Sequence, residues 1–266
     1  QENKIFEHCL LAGSRMQVDA IKYAIESAKS AANKFAWPEV IVILNKVSYL
    51  SSTASQEQND QISFLSAIAF RGVGGQENRD QARNLALSLV ESQHIDLFDV
   101  LYLYLETSFE EKQKDDLQQI VTQVEEWKKG IKLEGLSEPL SEFYRISAEA
   151  ELMGRNRDRI AYRKGMNAVM VVVENFTPST DQEGIQQKRL LSFIIQSLAI
   201  DYSFEQKIDK KTESLIEELF SQSEELKKEV NDLQGLAINL GSRGSYHLFT
   251  TKKISIARGF LSRDLE

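Results

Sequence analysis

Two segments of this 266-residue chain read nearly as copies of each other, FLSAIAFRGVGGQENRD (64–80) and FYRISAEAELMGRNRD (143–158). In each, an apolar stretch with helical spacing is followed by glycine and then by an Asn-Arg-Asp triplet. The separation is 79 residues up to Gly75 and Gly154, and 78 residues from the triplets onward. A period near 78 residues, about two units of 39, is what stacked helix pairs produce. The segments therefore predict two helical hairpins of a repeat protein, each with its glycine in the turn.

The composition is typical of a soluble globular protein and argues against several other classes. Three prolines and 13 glycines are too few for an all-β protein with many tight turns. A formal net charge of −8 argues against a nucleic-acid partner, because phosphate binding relies on Lys and Arg. No apolar run approaches the roughly 18 residues that span a bilayer, so we expect no membrane insertion. The single cysteine, Cys9, cannot form an internal disulfide, which suits a cytoplasmic protein.

Apolar residues three and four positions apart indicate helices along most of the chain. Clear stripes of this kind cover residues 18–35, 117–131 and 162–176. The aliphatic run 40–44 leaves a buried strand open as an alternative, although Pro38 suits the first turn of a helix. Counting stripes and start signals predicts about thirteen helices. The fold class that follows is all-α, in a single helical-repeat domain over residues 1–266.

Four positions match the capping box that starts many helices. In this motif a Ser or Thr hydroxyl accepts a backbone N–H three residues on, and a Glu or Gln there bonds back. The four motifs begin at Ser55, Ser108, Thr180 and Ser203. Asn78 with Gln81 is a looser version. We expect a helix to begin just after each of these residues.

Small residues recur twelve positions apart in two predicted helix pairs, Ala12 with Ala24 and Ser245 with Ala257. With helix pairs of roughly 34 to 40 residues, this spacing resembles the tetratricopeptide (TPR) family in degenerate form, without the family's Trp and closing Pro. The resemblance implies a right-handed α-α superhelix, a TPR-like solenoid. Divergent repeats of this style are similar to those of bacterial signalling proteins, including VieB-type response regulators. The chain begins at Gln1 without Met, so we expect it to be excised from a longer protein.

The TPR resemblance also implies where a partner binds. In that family the first helices of the pairs line a concave groove that holds extended or helical peptides. The corresponding helices here are those near 57–72, 94–107, 138–153 and 185–202. Tyr102 and Tyr144, with Tyr104, are candidate partner-binding residues, because an aromatic ring with a polar tip suits an interface. The alternative, which is the commoner case, is ordinary packing between helices.

The densest basic cluster begins at the end of the second copy and contains Arg155, Arg157, Arg159, Arg163 and Lys164. In a helix that starts near 156, Arg159 and Arg163 are one turn apart and share a face. Guanidinium groups there could grip a carboxylate or phosphate in a bidentate way. These four arginines are therefore candidate partner-binding residues for an acidic segment. The alternative is a solvated turn whose charge is compensated by Asp158 and by the nearby Glu149 and Glu151.

No motif for catalysis or metal binding is present in the sequence. The glycine-rich stretch 72–75 lacks the preceding strand and the Gly-Lys-Ser/Thr order of phosphate loops. His8, His94 and His247 are far apart and match no metal-binding spacing. We therefore predict a protein–protein interaction or regulatory module that is not an enzyme and needs no cofactor or metal. Two alternatives stay open, a sensory domain for a small acidic ligand and an all-α enzyme without a local motif. The oligomeric state is left open as well.

Overall fold

A computed structural model describes residues 2–110, 112–154, 158–205 and 207–264. Over these residues the chain forms thirteen α-helices and no β-strand, which confirms the predicted all-α class. The run 40–44 lies in a helix, so the strand alternative is wrong. Pro38 occupies the first turn of that helix, where its missing N–H costs no hydrogen bond. The arrangement of the helices as a TPR-like superhelix stays a prediction.

The chain divides into two compact units, Gln1–Gln123 and Val124–Glu266. The helices of the first unit are α1 (Glu2–Leu11), α2 (Gln17–Ala32), α3 (Trp37–Asn45), α4 (Gln56–Val73), α5 (Gln76–Ser88) and α6 (Leu97–Phe109). The division falls within α7 (Lys114–Gly130). The second unit contains α8 (Ser137–Met153), α9 (Arg159–Glu174), α10 (Asp181–Ser203), α11 (Lys210–Glu229), α12 (Leu233–Ser245), a π-helical turn (Tyr246–Thr251) and α13 (Ile254–Asp264). That the whole chain forms a single domain stays a prediction.

The two near-copies are helical hairpins with glycine in the turn, as predicted. In the first copy Gly74 (φ 75°) is the C-cap of α4 and Gly75 (φ 85°) precedes α5, and in the second Gly154 (φ 53°) is the C-cap of α8. These φ values are left-handed, which glycine adopts without the strain that a Cβ would cause. The glycine that ends the first helix is thus Gly74 in one copy and Gly154 in the other. The structure thus makes Gly74 equivalent to Gly154, whereas the sequence alignment had matched Gly154 with Gly75, one residue later.

Two of the four predicted capping boxes begin helices. The Ser55 hydroxyl accepts from the Gln58 backbone N–H at 3.2 Å, and the Gln58 side chain accepts from the Ser55 N–H at 3.0 Å. Thr180 likewise accepts from the Glu183 N–H at 3.1 Å, while the Glu183 carboxylate bonds to Ser179. Both predictions of a helix start are therefore confirmed.

The other capping predictions are wrong. Ser108 and Ser203 lie in the last turns of α6 and α10 rather than before a new helix, and their hydroxyls donate back to backbone carbonyls four and three residues earlier. Asn78 is in the first turn of α5 rather than at its cap, and its amide donates to the Gly74 carbonyl at 2.7 Å. Aspartates cap several helices instead, at positions 96, 158, 209 and 232.

Within each unit, alternate helices of the chain (the even-numbered ones) contact one another as well. In the first unit α2 packs on α4 and α4 packs on α6, in addition to the contacts between successive helices. In the second, Phe143 of α8 stacks on Phe193 of α10 at 6.5 Å, and the Gln196 amide of α10 donates to Ser242 of α12 at 3.5 Å. Ala69 and Ala148 are completely buried, as expected for small residues at close helix crossings.

Candidate functional site

Helix α6 exposes a single narrow stripe to solvent. Past its first residue, every side chain of α6, all of which the structure describes, is buried except Asp99, Tyr102, Glu106 and Phe109, which are partly exposed. Their spacing of three, four and three residues places them on one side of the helix. This helix is one of those predicted to line a groove, and Tyr102 is one of the predicted contact residues.

Helix α4 presents a matching stripe next to α6. Gln61, Phe64, Ile68 and Arg71 are partly exposed and follow the same spacing of three, four and three residues. Leu65 and Ala69 of α4 are buried in the core of α1–α4, while Ile62, Ser63, Ser66 and Phe70 are partly exposed outside this stripe. The α4 stripe is therefore a surface on which two apolar side chains lie between two polar ones.

Contacts of Arg71 join the end of the α4 stripe to the α6 stripe. The Arg71 guanidinium of α4 forms an ion pair with Glu106 of α6 at 2.7 Å and lies 5.7 Å from the centre of the Tyr102 ring. Tyr102 in turn stacks on Phe98, with ring centres 6.5 Å apart and planes 10° apart. We call this surface the α4/α6 face; it consists of Gln61, Phe64, Ile68, Arg71, Asp99, Tyr102 and Glu106.

The other two candidate tyrosines lie in the helix packing. Tyr104 is 1% exposed, and Tyr144 is 5% exposed with an edge-on contact to Phe143 at 5.1 Å between ring centres. The prediction that Tyr144 contacts a partner therefore does not fit this structure, because its side chain is covered. Helical spacing alone could not separate Tyr102 from Tyr104, since both lie on a helix whose surroundings decide which side is exposed.

Two arginines of the cluster, Arg159 and Arg163, are engaged within their own unit. Arg155 and Arg157 lie outside the described residues. Arg163 binds Asp201 and Glu205 at 2.6 Å each, and Arg159 donates to the Asp201 backbone carbonyl at 3.0 Å. The two arginines do share a face, as predicted.

Their charge is compensated differently from what the sequence suggested. Asp201 of α10, which is only 1% exposed, pairs with Arg163 of α9. Asp158 instead caps α9, and Glu149 binds Arg145. The Arg163 guanidinium also lies 3.8 Å from the centre of the Tyr202 ring. The contacts of Arg163 thus hold α9 against the end of α10, and an acidic partner would have to displace carboxylates that already occupy it.

A second cluster of charges lies among α11, α12 and the π-helical turn, and sequence reasoning missed it. Arg243 donates to Glu217 at 2.7 Å and to Glu224 at 3.3 Å, and the His247 Nε2 atom is 2.9 Å from Glu217 Oε1. Burial raises the pKa of the adjacent Tyr246 to about 12. The one feature of the sequence that could have indicated this cluster is the four-residue spacing of Arg243 and His247, which places both on one side of the helical segment.

The described residues contain no group of three or more His, Cys, Asp or Glu side chains arranged to hold a metal ion. None of the helices in the same part of the chain is both long and apolar enough to cross a membrane. An open cleft at the start of α10 is lined by residues with local roles: Thr180 caps α10, and Lys188 pairs with Glu229 at 2.7 Å. The α4/α6 face is therefore the best candidate for a functional surface.

No known protein family, no curated protein and no solved structure matches this chain. The resemblance to TPR proteins and to VieB-type response regulators accordingly stays a prediction.

Proposed function

We propose that this protein is a protein-interaction module and that the α4/α6 face binds a peptide segment of a partner protein. The observation that carries the proposal is the contact of Arg71 with both Tyr102 and Glu106 across two adjacent helices. An aromatic ring and a guanidinium group, each held in place before a partner arrives, lose little conformational entropy on binding. Tyr and Arg are also the side chains that most often contribute large binding energies at interfaces.

The composition of the face defines the kind of segment that fits. Phe64 and Ile68 offer partly exposed apolar surface on α4, and Tyr102 offers a partly exposed ring on α6. A partner side chain of aliphatic or aromatic character gains free energy by covering this surface. Glu106 compensates the charge of Arg71, so an acidic segment is not required. We therefore infer an apolar anchor residue flanked by polar groups that hydrogen bond to Gln61 and Arg71.

Helix packing supports the same proposal. The contacts of α2 with α4 and of α4 with α6 place these helices side by side, which is how the first helices of successive TPR pairs are arranged. A TPR-like role in bacterial signalling would follow from that relationship. The alternative of a sensory site for an acidic ligand has less support, because Asp201 and Glu205 already occupy Arg163. The geometry gives no specific support to the enzyme alternative either.

A peptide selection followed by variant binding tests the proposal. Peptides selected from a random displayed library on the intact protein are measured against Phe64→Ala and Tyr102→Ala. Matched controls replace the same residue types elsewhere, Tyr49→Ala (Tyr49 is 69% exposed) and Phe249→Ala (Phe249 is 75% exposed). We expect each α4/α6 variant to weaken binding by about tenfold or more, as hot-spot residues do, while both controls bind normally.

Binding that survives both α4/α6 substitutions would refute the proposed surface, and so would equal losses in the controls. Tyr102→Phe keeps the stacking on Phe98, so it separates the contribution of the ring from that of the hydroxyl. Far-UV circular dichroism of every variant shows whether a loss of binding reflects a loss of folding.

A further inference from the structure

The last helix, α13, has a narrow apolar contact with the rest of its unit. Ala257 is buried and Leu261 is half-buried, whereas Ile254 and Ile256 are 68% and 43% exposed. The close approach depends on Gly244 of α12, because a Cβ added there would lie 2.8 Å from Leu261 Cγ. An interface of so few apolar groups contributes limited hydrophobic stabilisation. The polar and aromatic contacts of α13 therefore supply a large part of the free energy that holds this helix in place.

The remaining contacts of α13 lead to the charge cluster on α11 and α12. Phe260 stacks on His247 with ring centres 5.6 Å apart and planes 7° apart, and it lies 4.3 Å from the Arg243 guanidinium. Arg263 pairs with Glu224 at 2.5 Å. Phe260 is therefore the side chain through which α13 covers the imidazole of His247.

His247 is surrounded by charged and titratable groups on every side. Its side chain is 4% exposed, with Nε2 2.9 Å from Glu217 Oε1 and Nδ1 3.3 Å from Thr251 Oγ1. Glu213 and Glu217 face it from α11, Arg243 from α12, Tyr246 from the π-helical turn, Lys253 from the segment before α13, and Arg263 from α13 through Phe260. The Glu217 carboxylate contacts both His247 and Arg243, because Arg243 donates to Oε2 while His247 faces Oε1.

The connection to α13 has the features of a hinge. The six-residue π-helical turn Tyr246–Thr251 precedes it, and such turns are rare and often occur at functional sites. Lys252 follows with a left-handed φ of 58°, which is unfavourable for a residue with a side chain. Release of α13 would let Lys252 relax to an ordinary backbone conformation.

We propose that α13 is a pH-controlled strap that docks on α11 and α12 while His247 is neutral and is released when His247 is protonated. The physical basis is that docking buries the imidazole beneath Phe260, with Arg243 and Lys253 nearby. Burial makes a positive charge on the imidazole costly in that position even though Glu217 lies 2.9 Å from Nε2, and undocking returns the charge to water. Release also exposes the α12 surface around Gly244 and His247 to other molecules.

The direction of the pH dependence follows from the docked state. Burial, the largest effect, lowers the pKa of His247; Glu217 and Glu213 raise it, Arg243 and Lys253 lower it, and the net direction is down. The undocked imidazole takes up a proton near the ordinary pKa of about 6.5. Docking is therefore strongest above that pH and weakens as the pH falls toward the docked pKa. Each unit by which the two pKa values differ changes the docking equilibrium by about tenfold.

The carboxylate that holds Arg263 titrates in a separate range. Burial acts to raise the pKa of Glu224, but its bonds to Lys228 and Arg263 outweigh this and hold the pKa below the ordinary 4.5. Its contribution to docking is therefore lost only below pH 4.5. A change in the docking of α13 between about pH 7.5 and 5.5 is therefore assigned to His247, because histidine is the residue type that titrates in this range.

Hydrogen exchange of the intact chain tests the proposal. Protection factors for the amides of α13, which correct for the intrinsic pH dependence of exchange, are measured between about pH 7.5 and 5.5. We expect them to fall in the wild type and to stay constant in His247→Gln. His94→Gln, at an exposed position, is the matched control and should behave like the wild type. Phe260→Ala gives the reference for a released helix.

Three results would overturn the proposal: constant protection in the wild type, the same pH dependence in His247→Gln, or the loss of that dependence in His94→Gln. Should His247→Gln not fold, an NMR titration of the three histidines in the wild type decides the question. The proposal requires the pKa of His247 to lie below the ordinary histidine value of about 6.5, and a pKa at or above that value would refute it.

Discussion

Helix α4 passes so close to Trp37 that one added methyl group should destabilise the first unit. A Cβ built on Gly72 would lie 2.5 Å from Cγ and Cδ2 of the Trp37 ring and 2.6 Å from Cδ1. These atoms are next to the attachment point of the ring, so a small rotation of the side chain cannot clear them. Gly72→Ala therefore requires α3 and α4 to move apart, or the ring to leave its position.

Two opposing effects set the magnitude. Alanine is favoured over glycine within a helix by about 0.5–1 kcal/mol. Forcing an extra methyl group into a packed interface typically costs about 1–3 kcal/mol. For Gly72→Ala the contact with Trp37 should win, with a net loss of roughly 1–2 kcal/mol. Gly259→Ala is the matched control, because nothing lies within 4 Å of its added Cβ. That change should stabilise α13 slightly.

Urea unfolding followed by far-UV circular dichroism measures both variants. Gly72→Ala should lower the urea midpoint without changing the slope, since the surface exposed on unfolding is unchanged. Trp37→Leu supplies the internal test, because Gly72→Ala should cost little or nothing once the ring is absent. A Gly72→Ala protein as stable as the wild type would refute the close approach, and so would an undiminished penalty in the Trp37→Leu background.

The remaining predictions concern the second unit. Ala148→Leu should cost about 1–3 kcal/mol by overpacking a completely buried position, while Ala161→Leu at an exposed position of α9 should cost little, as thermal unfolding would show. Arg163→Glu should destabilise the protein by about 3 kcal/mol or more, because it removes the closest ion pair of the buried Asp201 and places a second negative charge beside that carboxylate; unchanged stability would mean that the arginine is a solvated surface residue. The hydrogen bond from Arg145 lowers the pKa of Glu142 from 4.5 to about 2, so its contribution is complete above pH 4.5 and lost as the pH falls toward 2. Glu142→Gln should therefore flatten stability against pH in that range, and a curve parallel to the wild type would contradict the assignment.

The helical class and the two glycine turns were predictable because their causes are local. Apolar spacing is a property of neighbouring turns, and left-handed turn positions such as Gly74 and Gly154 select glycine whatever surrounds them. The caps at Ser55 and Thr180 are equally local, since donor and acceptor are three residues apart. The same four-residue pattern at Ser108 nevertheless lies in the last turn of α6, where the hydroxyl donates to the Tyr104 carbonyl instead of capping a new helix.

The candidate site depended on contacts between residues far apart in sequence. Tyr102 is accessible and Tyr104 is buried only because of how the helices around α6 are placed. Arg163 finds its carboxylates 38 and 42 residues along the chain, and His247 finds Glu217 on another helix. Periodicity and caps, which act within a turn or two, thus determined the helices from the sequence alone. The partners of the charged and aromatic side chains were decided only by tertiary structure, because each helix has several faces and packing selects which of them meet.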